Sequence, residues 1–246
     1  MRTYAIGDIH GHLDKLQDLH ALIDADRAIC GDSESPVVHI GDLVDRGPDS
    51  RGVLDYLIAG RADSAPWVVI KGNHDRMFRG FMADPDDHDP GLRADLHWID
   101  PRLGGGTTLA SYGVTGAGEQ LLFDLHNAAV RAVPDAHLDY IDALPSYFLR
   151  GACLFVHAGI RPGVDLHDQI DDDLLWIRKG FLEDPRDHGV LVVHGHTPVD
   201  VVTDYGNRLN LDTGAGYGKP MSAVVIEGRD VFRLTARGRV PVRRPQ

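Results

Sequence analysis

Val37-Val38-His39-Ile40-Gly41-Asp42-Leu43-Val44-Asp45-Arg46-Gly47 passes from a β-prone apolar run into a turn crowded with carboxylates, an arginine and glycines. Beyond that turn Val53, Leu54, Leu57 and Ile58 recur at helical spacing, so the stretch reads as strand, charged turn, helix. The same succession flanks it. Thr3 to Ile6 leads into Gly7-Asp8-Ile9-His10-Gly11 and then Leu13, Leu16, Leu19 and Ile23. Trp67 to Ile70 leads into Gly72-Asn73-His74-Asp75 and then Met77, Phe78 and Phe81. Strands alternating with helices predict parallel β-α-β units, in which ligands bind beyond the carboxyl ends of the strands. All three polar motifs fall at that place.

Two further motifs end apolar runs later in the chain, His157-Ala158-Gly159 and His194-Gly195-His196-Thr197-Pro198. Between the third and fourth motifs, from about residue 84 to 145, the periodicity weakens. Pro90, Pro101 and Gly104-Gly105-Gly106 interrupt it, and Leu138, Ile141 and Leu144 suggest a short helix near its end. This segment reads as a cap-like insertion into a single domain spanning 1–246. After it, β-like runs at Cys153 to Val156, Val190 to Val193, Arg208 to Leu211, Ser222 to Ile226 and Val231 to Leu234 suggest a second, more antiparallel sheet.

A chain of 246 residues is long enough to bury a full core. A net charge of −12 argues against a nucleic-acid partner, since such binding neutralises phosphates with Lys and Arg. No apolar run approaches the ~20 residues of a membrane helix, and a candidate ligand already stands at Asp8, so neither a membrane nor a secretory signal is expected. Cys30 and Cys153 fit no metal or disulfide spacing and read as two buried apolar side chains of a cytoplasmic protein. The acidic stretch Asp84-Pro85-Asp86-Asp87-His88-Asp89-Pro90 and the arginine-rich 229–244 read as solvated surface.

The motif residues suit one chemistry. Hydrolysing a phosphate ester at neutral pH needs an activated water and neutralised phosphoryl oxygens, and two divalent ions ~3.5–4 Å apart supply both. Carboxylate, imidazole and amide ligands suit such ions. Asp8 and His10, two apart, share one side of an extended segment, and Asp42 can bridge two ions through its two oxygens. Asn73 adds a neutral carbonyl oxygen, with His157 and His196 completing the set. Any of these alone would be an ordinary turn residue; metal binding rests on all of them together.

The pattern Gly-Asp-x-His-Gly, Gly-Asp-x-Val-Asp-Arg-Gly, Gly-Asn-His-Asp, His-Ala-Gly and Gly-His-Thr-Pro resembles the phosphoprotein phosphatase branch of the calcineurin-like metallophosphoesterases. Within it, the bacterial and phage type is most similar, a group including lambda phage protein phosphatase and the symmetrical diadenosine tetraphosphatases. The resemblance runs from Asp8 through Asp212-Thr213-Gly214 and is vague across the insertion. It implies an α/β fold, an α/β/β/α sandwich of two mixed sheets flanked by helices. It also implies that Asp8, His10 and Asp42 hold one metal and that Asp42, Asn73, His157 and His196 hold the other. His74 would protonate the leaving oxygen, oriented by Asp45, and Arg46 and Arg178 would bind phosphate. Manganese is the metal the family suggests, with iron or zinc also compatible.

Two features bear on the substrate. The last motif lacks the second histidine of Gly-His-x-His, and the Asp45-Arg46 pair is present; both favour phosphomonoester chemistry and a serine/threonine-type protein phosphatase. Asp75, where eukaryotic protein phosphatases carry Glu and the tetraphosphatases tend to carry Asp, points to a dinucleoside polyphosphate hydrolase as the alternative. The partner is thus a phosphorylated protein or a small phosphoester, with oligomeric state unspecified. A regulatory pseudoenzyme would need a lost catalytic residue, and none is lost. His194 reads as structural, Asp75 as a helix cap, Asp212 as support for the site, and Trp98 and Trp176 as packing.

Overall fold

In the computed structural model, which describes residues 1–244, the three strand-turn-helix units form as their patterns predict. They are β1 (Arg2–Ile6) with α1 (Leu13–Cys30), β2 (Val37–His39) with α2 (Ser50–Ala62), and β3 (Trp67–Val69) with α3 (Asn73–Ala83). The Asp49 carboxylate caps α2 by accepting from the Gly52 amide at 2.8 Å. The 84–145 segment carries α4 (Gly105–Ser111), α5 (Leu122–Ala132) and α6 (Asp135–Asp142). There follow β4 (Tyr147–Arg150), β5 (Cys153–Val156), α7 (Asp171–Trp176), β6 (Leu191–His194), β7 (Thr203–Asp204), β8 (Arg208–Asn210), β9 (Ala223–Glu227), β10 (Asp230–Thr235) and β11 (Gly238–Pro241).

The strands make two mixed sheets, ordered β11-β10-β9-β1-β2-β3 and β4-β5-β6-β8-β7. Strand alternation sorts the core into layers. Ala5, Val38, Val224 and Ile226 of the first sheet pack against Phe155, Val193 and Leu209 of the second. On the far side of the first sheet, Tyr4 and Ile6 meet Leu16, Leu54 and Phe78 of the helices, and Leu109, Leu125 and Ile141 of the inserted helices join that layer. Leu154, Val156 and Val192 face outward from the second sheet against Leu174 of α7 and Phe181. The result is the α/β/β/α sandwich.

The division of strands differs from the sequence reading. The runs at 222–226 and 231–234 do not join the second sheet: β9 pairs antiparallel with β1, from Arg2↔Glu227 to Ile6↔Ala223, and β10 and β11 extend outward. They cover an edge of β1 that would otherwise expose unpaired backbone groups. The second sheet is parallel at its centre, β5 to β6 to β8, because long crossovers join those strands.

The two charged stretches are also less solvated than expected. Asp89 is buried and takes both Arg76 nitrogens at 2.7 Å, while Arg239 grips Asp26 at 2.7 and 2.8 Å. Paired this way, a carboxylate tolerates burial that it would otherwise resist. Cys153 is buried, whereas Cys30 is only half-buried beside Arg239.

Candidate metal and catalytic site

The five motif turns converge at the carboxyl ends of β1, β2, β3, β5 and β6. Backbone contacts tie them together: His10 N–H donates to Asp42 O at 2.7 Å, and Gly195 N–H donates to His157 O at 2.8 Å. Asp75 does more than cap α3. Its carboxylate accepts from Gly72 N and Leu43 N, both at 2.8 Å, joining the second and third turns. The turns also press closer than most residues allow. A Cβ on Gly72 would collide with Asp42, and one on Gly195 would collide with the Asp8 carboxylate.

Strain concentrates here. Among the described residues, the non-glycine positions with positive φ are His10, Asp42, Asp45, Arg46, Ser64 and His196, and all but Ser64 belong to the motifs. Such conformations cost of order 1–3 kcal/mol each and persist where the surroundings impose them, which is characteristic of functional sites.

The ligand candidates meet in two groups that share Asp42. His10, Asp42 and His74 bring ligand atoms within 4.8 Å of one another, and so do Asp42, His157 and His196. Asn73 Oδ1 lies 2.8 Å from His157 Nε2 and 2.9 Å from His196 Nδ1. Asp8 stands beside them, its Oδ2 accepting from the His196 amide at 3.0 Å and its buried Oδ1 without a partner.

These residues fit divalent ions on three counts. His10 Nδ1 lies 3.0 Å from Val44 O, and His157 Nδ1 lies 2.9 Å from Ile40 O. A carbonyl can only accept, so both rings carry the proton on Nδ1 and turn an Nε2 lone pair into the site. Burial lowers the pKa of His10, His157 and His196, which keeps those rings neutral and able to ligate. Lastly, buried carboxylates crowd together. Burial, with Asp42 nearby, raises Asp75 to about 8 and Asp212 to about 6, and burial with Asp212 and Asp42 raises Asp8. Cations relieve that repulsion.

His74 and Arg46 stand together beside the ligand candidates. His74 Nδ1 donates to Asp45 Oδ2 at 2.6 Å, leaving Nε2 to accept from Arg46 Nη2 at 3.1 Å. Arg46 Nη1 also reaches His10 Nε2 at 2.8 Å, and its guanidinium lies over the Tyr217 ring, 4.6 Å from the centroid. Arg178 stands two residues beyond α7 with an exposed outer face. Partial desolvation lowers its pKa, with Arg46 adding to the effect and Tyr217 and Asp42 opposing it.

Three residues gain a place that the sequence reading did not give them. Trp98, read as packing, donates its indole N–H to Asp45 Oδ2 at 2.8 Å. Thr108 donates to Asp45 Oδ1 at 2.7 Å. Tyr217 is 61% exposed at the rim, which makes its free face available to a ligand. A buried tryptophan usually finds a partner for its N–H, so Trp98 carried a signal; Thr108 carried none. His194 is structural as expected, with Nδ1 on Gly195 O and Nε2 facing Arg208. Asp212 sits at a strand end beside Asp8, receiving the Gly214 amide at 2.8 Å.

A family model described as calcineurin-like phosphoesterase matches residues 1–220. Curated relatives match over a shorter segment. The symmetrical bis(5'-nucleosyl)-tetraphosphatase of Cellvibrio japonicus is 43% identical over 75 residues, 30% of this chain and 25% of that protein. The one from Edwardsiella ictaluri is 45% identical over 75 residues, 30% of this chain and 24% of that protein. The matched segment thus spans about a quarter of these relatives' length. Among solved structures, a putative diadenosine tetraphosphatase superimposes with a TM-score of 0.61 at 22% identity, covering 98% of this chain and 94% of that one. A cold-active protein-tyrosine phosphatase from a psychrophilic Shewanella reaches 0.59 at 18% identity, covering 98% and 80%. Both likenesses concern the fold.

Proposed function

The chain belongs to the calcineurin-like phosphoesterase family, and on that basis we propose that it is a metal-dependent hydrolase of dinucleoside polyphosphates. The observation that carries the substrate is the similarity to symmetrical bis(5'-nucleosyl)-tetraphosphatases. The rim supports it. A dinucleoside polyphosphate needs positive charge and a surface for a base. Arg93 and Arg102 of the inserted segment are occupied by Asp95 and Asp100. Arg46, Arg178 and the exposed Tyr217 ring supply both features from outside that segment.

Asp8, His10, Asp42, Asn73, His157 and His196 would hold two divalent ions, manganese being the expected choice. When bound, such ions neutralise phosphoryl oxygens and make water a better nucleophile. The chain supplies the remainder. Arg46 and Arg178 clamp the phosphate, since guanidinium groups match its oxygens bidentately. Once Arg46 turns from His74 to the phosphate, His74 Nε2 is free to carry the proton that it gives to the leaving oxygen, and Asp45 at its Nδ1 stabilises the cationic ring and fixes its direction. Tyr217 takes a base against its free face.

A second reading, phosphomonoester hydrolysis including phosphoproteins, is favoured by the Asp45-Arg46 pair in its strained turn. A panel with manganese present separates them. Diadenosine tetraphosphate, a phosphoserine peptide and an aryl phosphate are compared by kcat/KM, and the dinucleotide is expected to lead by a wide margin. A lead for the phosphopeptide replaces the proposal with the second reading.

A further inference from the structure

The 84–145 segment touches the catalytic turn through two side chains, Trp98 and Thr108. We propose that Trp98 and Thr108, both within 84–145, are positioning residues for the reaction: they fix the Asp45 carboxylate and thereby aim His74. The proposal rests on the hydrolase reading above.

Asp45 is fully buried and each of its oxygens is engaged from a known direction. Oδ2 accepts from His74 Nδ1 at 2.6 Å and from Trp98 Nε1 at 2.8 Å, while Oδ1 accepts from Thr108 Oγ1 at 2.7 Å. A carboxylate held by donors at both oxygens cannot turn about its χ2 without breaking one. The backbone is held as well. Asp45 N–H donates to Thr108 Oγ1 at 2.8 Å and to Ser50 Oγ at 3.2 Å, at a residue whose φ of 73° needs such support. Thr108 thus grips both ends of Asp45, its proton going to the carboxylate and its lone pairs receiving the amide.

The donors are themselves fixed. Trp98 packs against Phe81 and Phe78, with ring centroids 4.8 and 5.4 Å away. The Gly104-Gly105 backbone threads between it and the catalytic turn: a Cβ on Gly105 would strike Trp98, and one on Gly104 would strike Arg46. The consequence reaches His74, whose ring stands edge-on to His10, 4.9 Å between centroids, with Nε2 directed at Arg46. Hydrogen bonds to a buried ion are strong and directional, so losing one loosens the aim of the imidazole while every metal ligand keeps its place.

The test uses the full chain with metal loaded and two substrates of similar size, 4-nitrophenyl phosphate and phenyl phosphate, whose leaving groups differ. Thr108→Val and Trp98→Phe are expected to lower kcat on phenyl phosphate roughly 10–100-fold, a range typical of lost orienting hydrogen bonds. The loss on 4-nitrophenyl phosphate should be much smaller, with KM and bound metal unchanged. Thr108→Ser, which keeps the hydroxyl, should restore most of the rate even if Thr108→Val folds poorly. Adding Trp98→Phe to His74→Asn should cost little more, because both act through one group. Equal losses on both substrates, no loss, or full additivity with His74→Asn would overturn the assignment. A metal-loaded wild type inactive on both aryl phosphates and on diadenosine tetraphosphate would instead sink the hydrolase reading, and this inference with it.

Discussion

Nε2 of His157 faces Oδ1 of Asn73 at 2.8 Å, and with the ring proton on Nδ1 these are two lone-pair atoms brought together. His196 Nδ1 approaches the same oxygen at 2.9 Å. Acceptors converge in this way around a cation, and Asp42, 3.3 Å from the same His157 nitrogen, supplies the anionic member.

Activity should therefore depend on divalent metal. Exhaustive chelation is expected to abolish hydrolysis and manganese to restore it. Metal at a hundredfold over its Kd should stabilise the fold by about 2.7 kcal/mol for each site filled. Asp42→Asn should lose most activity and most of that stabilisation, because one change weakens both ion positions. Thermal unfolding with and without metal checks this independently of turnover, and a chelated protein that keeps full activity would remove the two-metal reading.

His74→Asn should retain both metals while slowing hydrolysis of a substrate with a poor leaving group by ~10²–10⁴-fold. The loss should shrink for 4-nitrophenyl phosphate, whose leaving oxygen needs little protonation. Metal analysis beside kcat on the two substrates decides it: parallel losses would make His74 an orienting group only.

Much of this candidate site could be read from the chain because its candidate ligands lie on short local motifs, each directly after an apolar run. Asp8, His10, Asp42, Asn73, His157 and His196 converge as the motif positions imply. What was not legible depends on long-range contact. Thr108 reaches Asp45 from a helix whose pattern says nothing about a distant carboxylate. The placement of β9 beside β1 is likewise set by burial of an edge, since its apolar run would suit either sheet. Tyr217 was not legible because its own turn carries no motif; it reaches the site through a long-range approach in which Gly216 lets the backbone come close to His10 and Arg46.

Stability should fall as the solution is acidified below about pH 6.5. His20 and His39 are buried, with Nε2 atoms 2.9 Å apart, Tyr56 Oη at His20 Nδ1 and Val68 O at His39 Nδ1. That chain is satisfied only by neutral rings, and burial lowers His20 to about 2 and His39 to about 4. Below the unfolded value the denatured chain takes up protons that the native chain refuses, so ΔG of unfolding falls with falling pH. Each histidine contributes a slope of up to about 1.4 kcal/mol per pH unit, in the window from about 6.5 down to the folded pKa. Urea unfolding at pH 7 and pH 5 measures the slope. His20→Phe should flatten it whatever its effect at neutral pH, and an unchanged slope would detach the effect from this pair.

The rim should discriminate substrates through Tyr217. Its ring is packed by Arg46 on one face and open on the other, and being 61% exposed it can be shortened without opening the core. Stacking of a base on an aromatic side chain contributes about 1–3 kcal/mol. Tyr217→Ala should therefore reduce kcat/KM for diadenosine tetraphosphate by roughly 10–100-fold. Hydrolysis of an aryl phosphate, which offers no base to the rim, should change little. Arg178→Ala should weaken both substrates without releasing metal, since each presents a phosphate to the same guanidinium. If Tyr217→Ala leaves the two substrates in their original ratio, no base lies on that ring. The dinucleotide would then have to be held by contacts elsewhere, and the phosphomonoester reading would gain what this one loses.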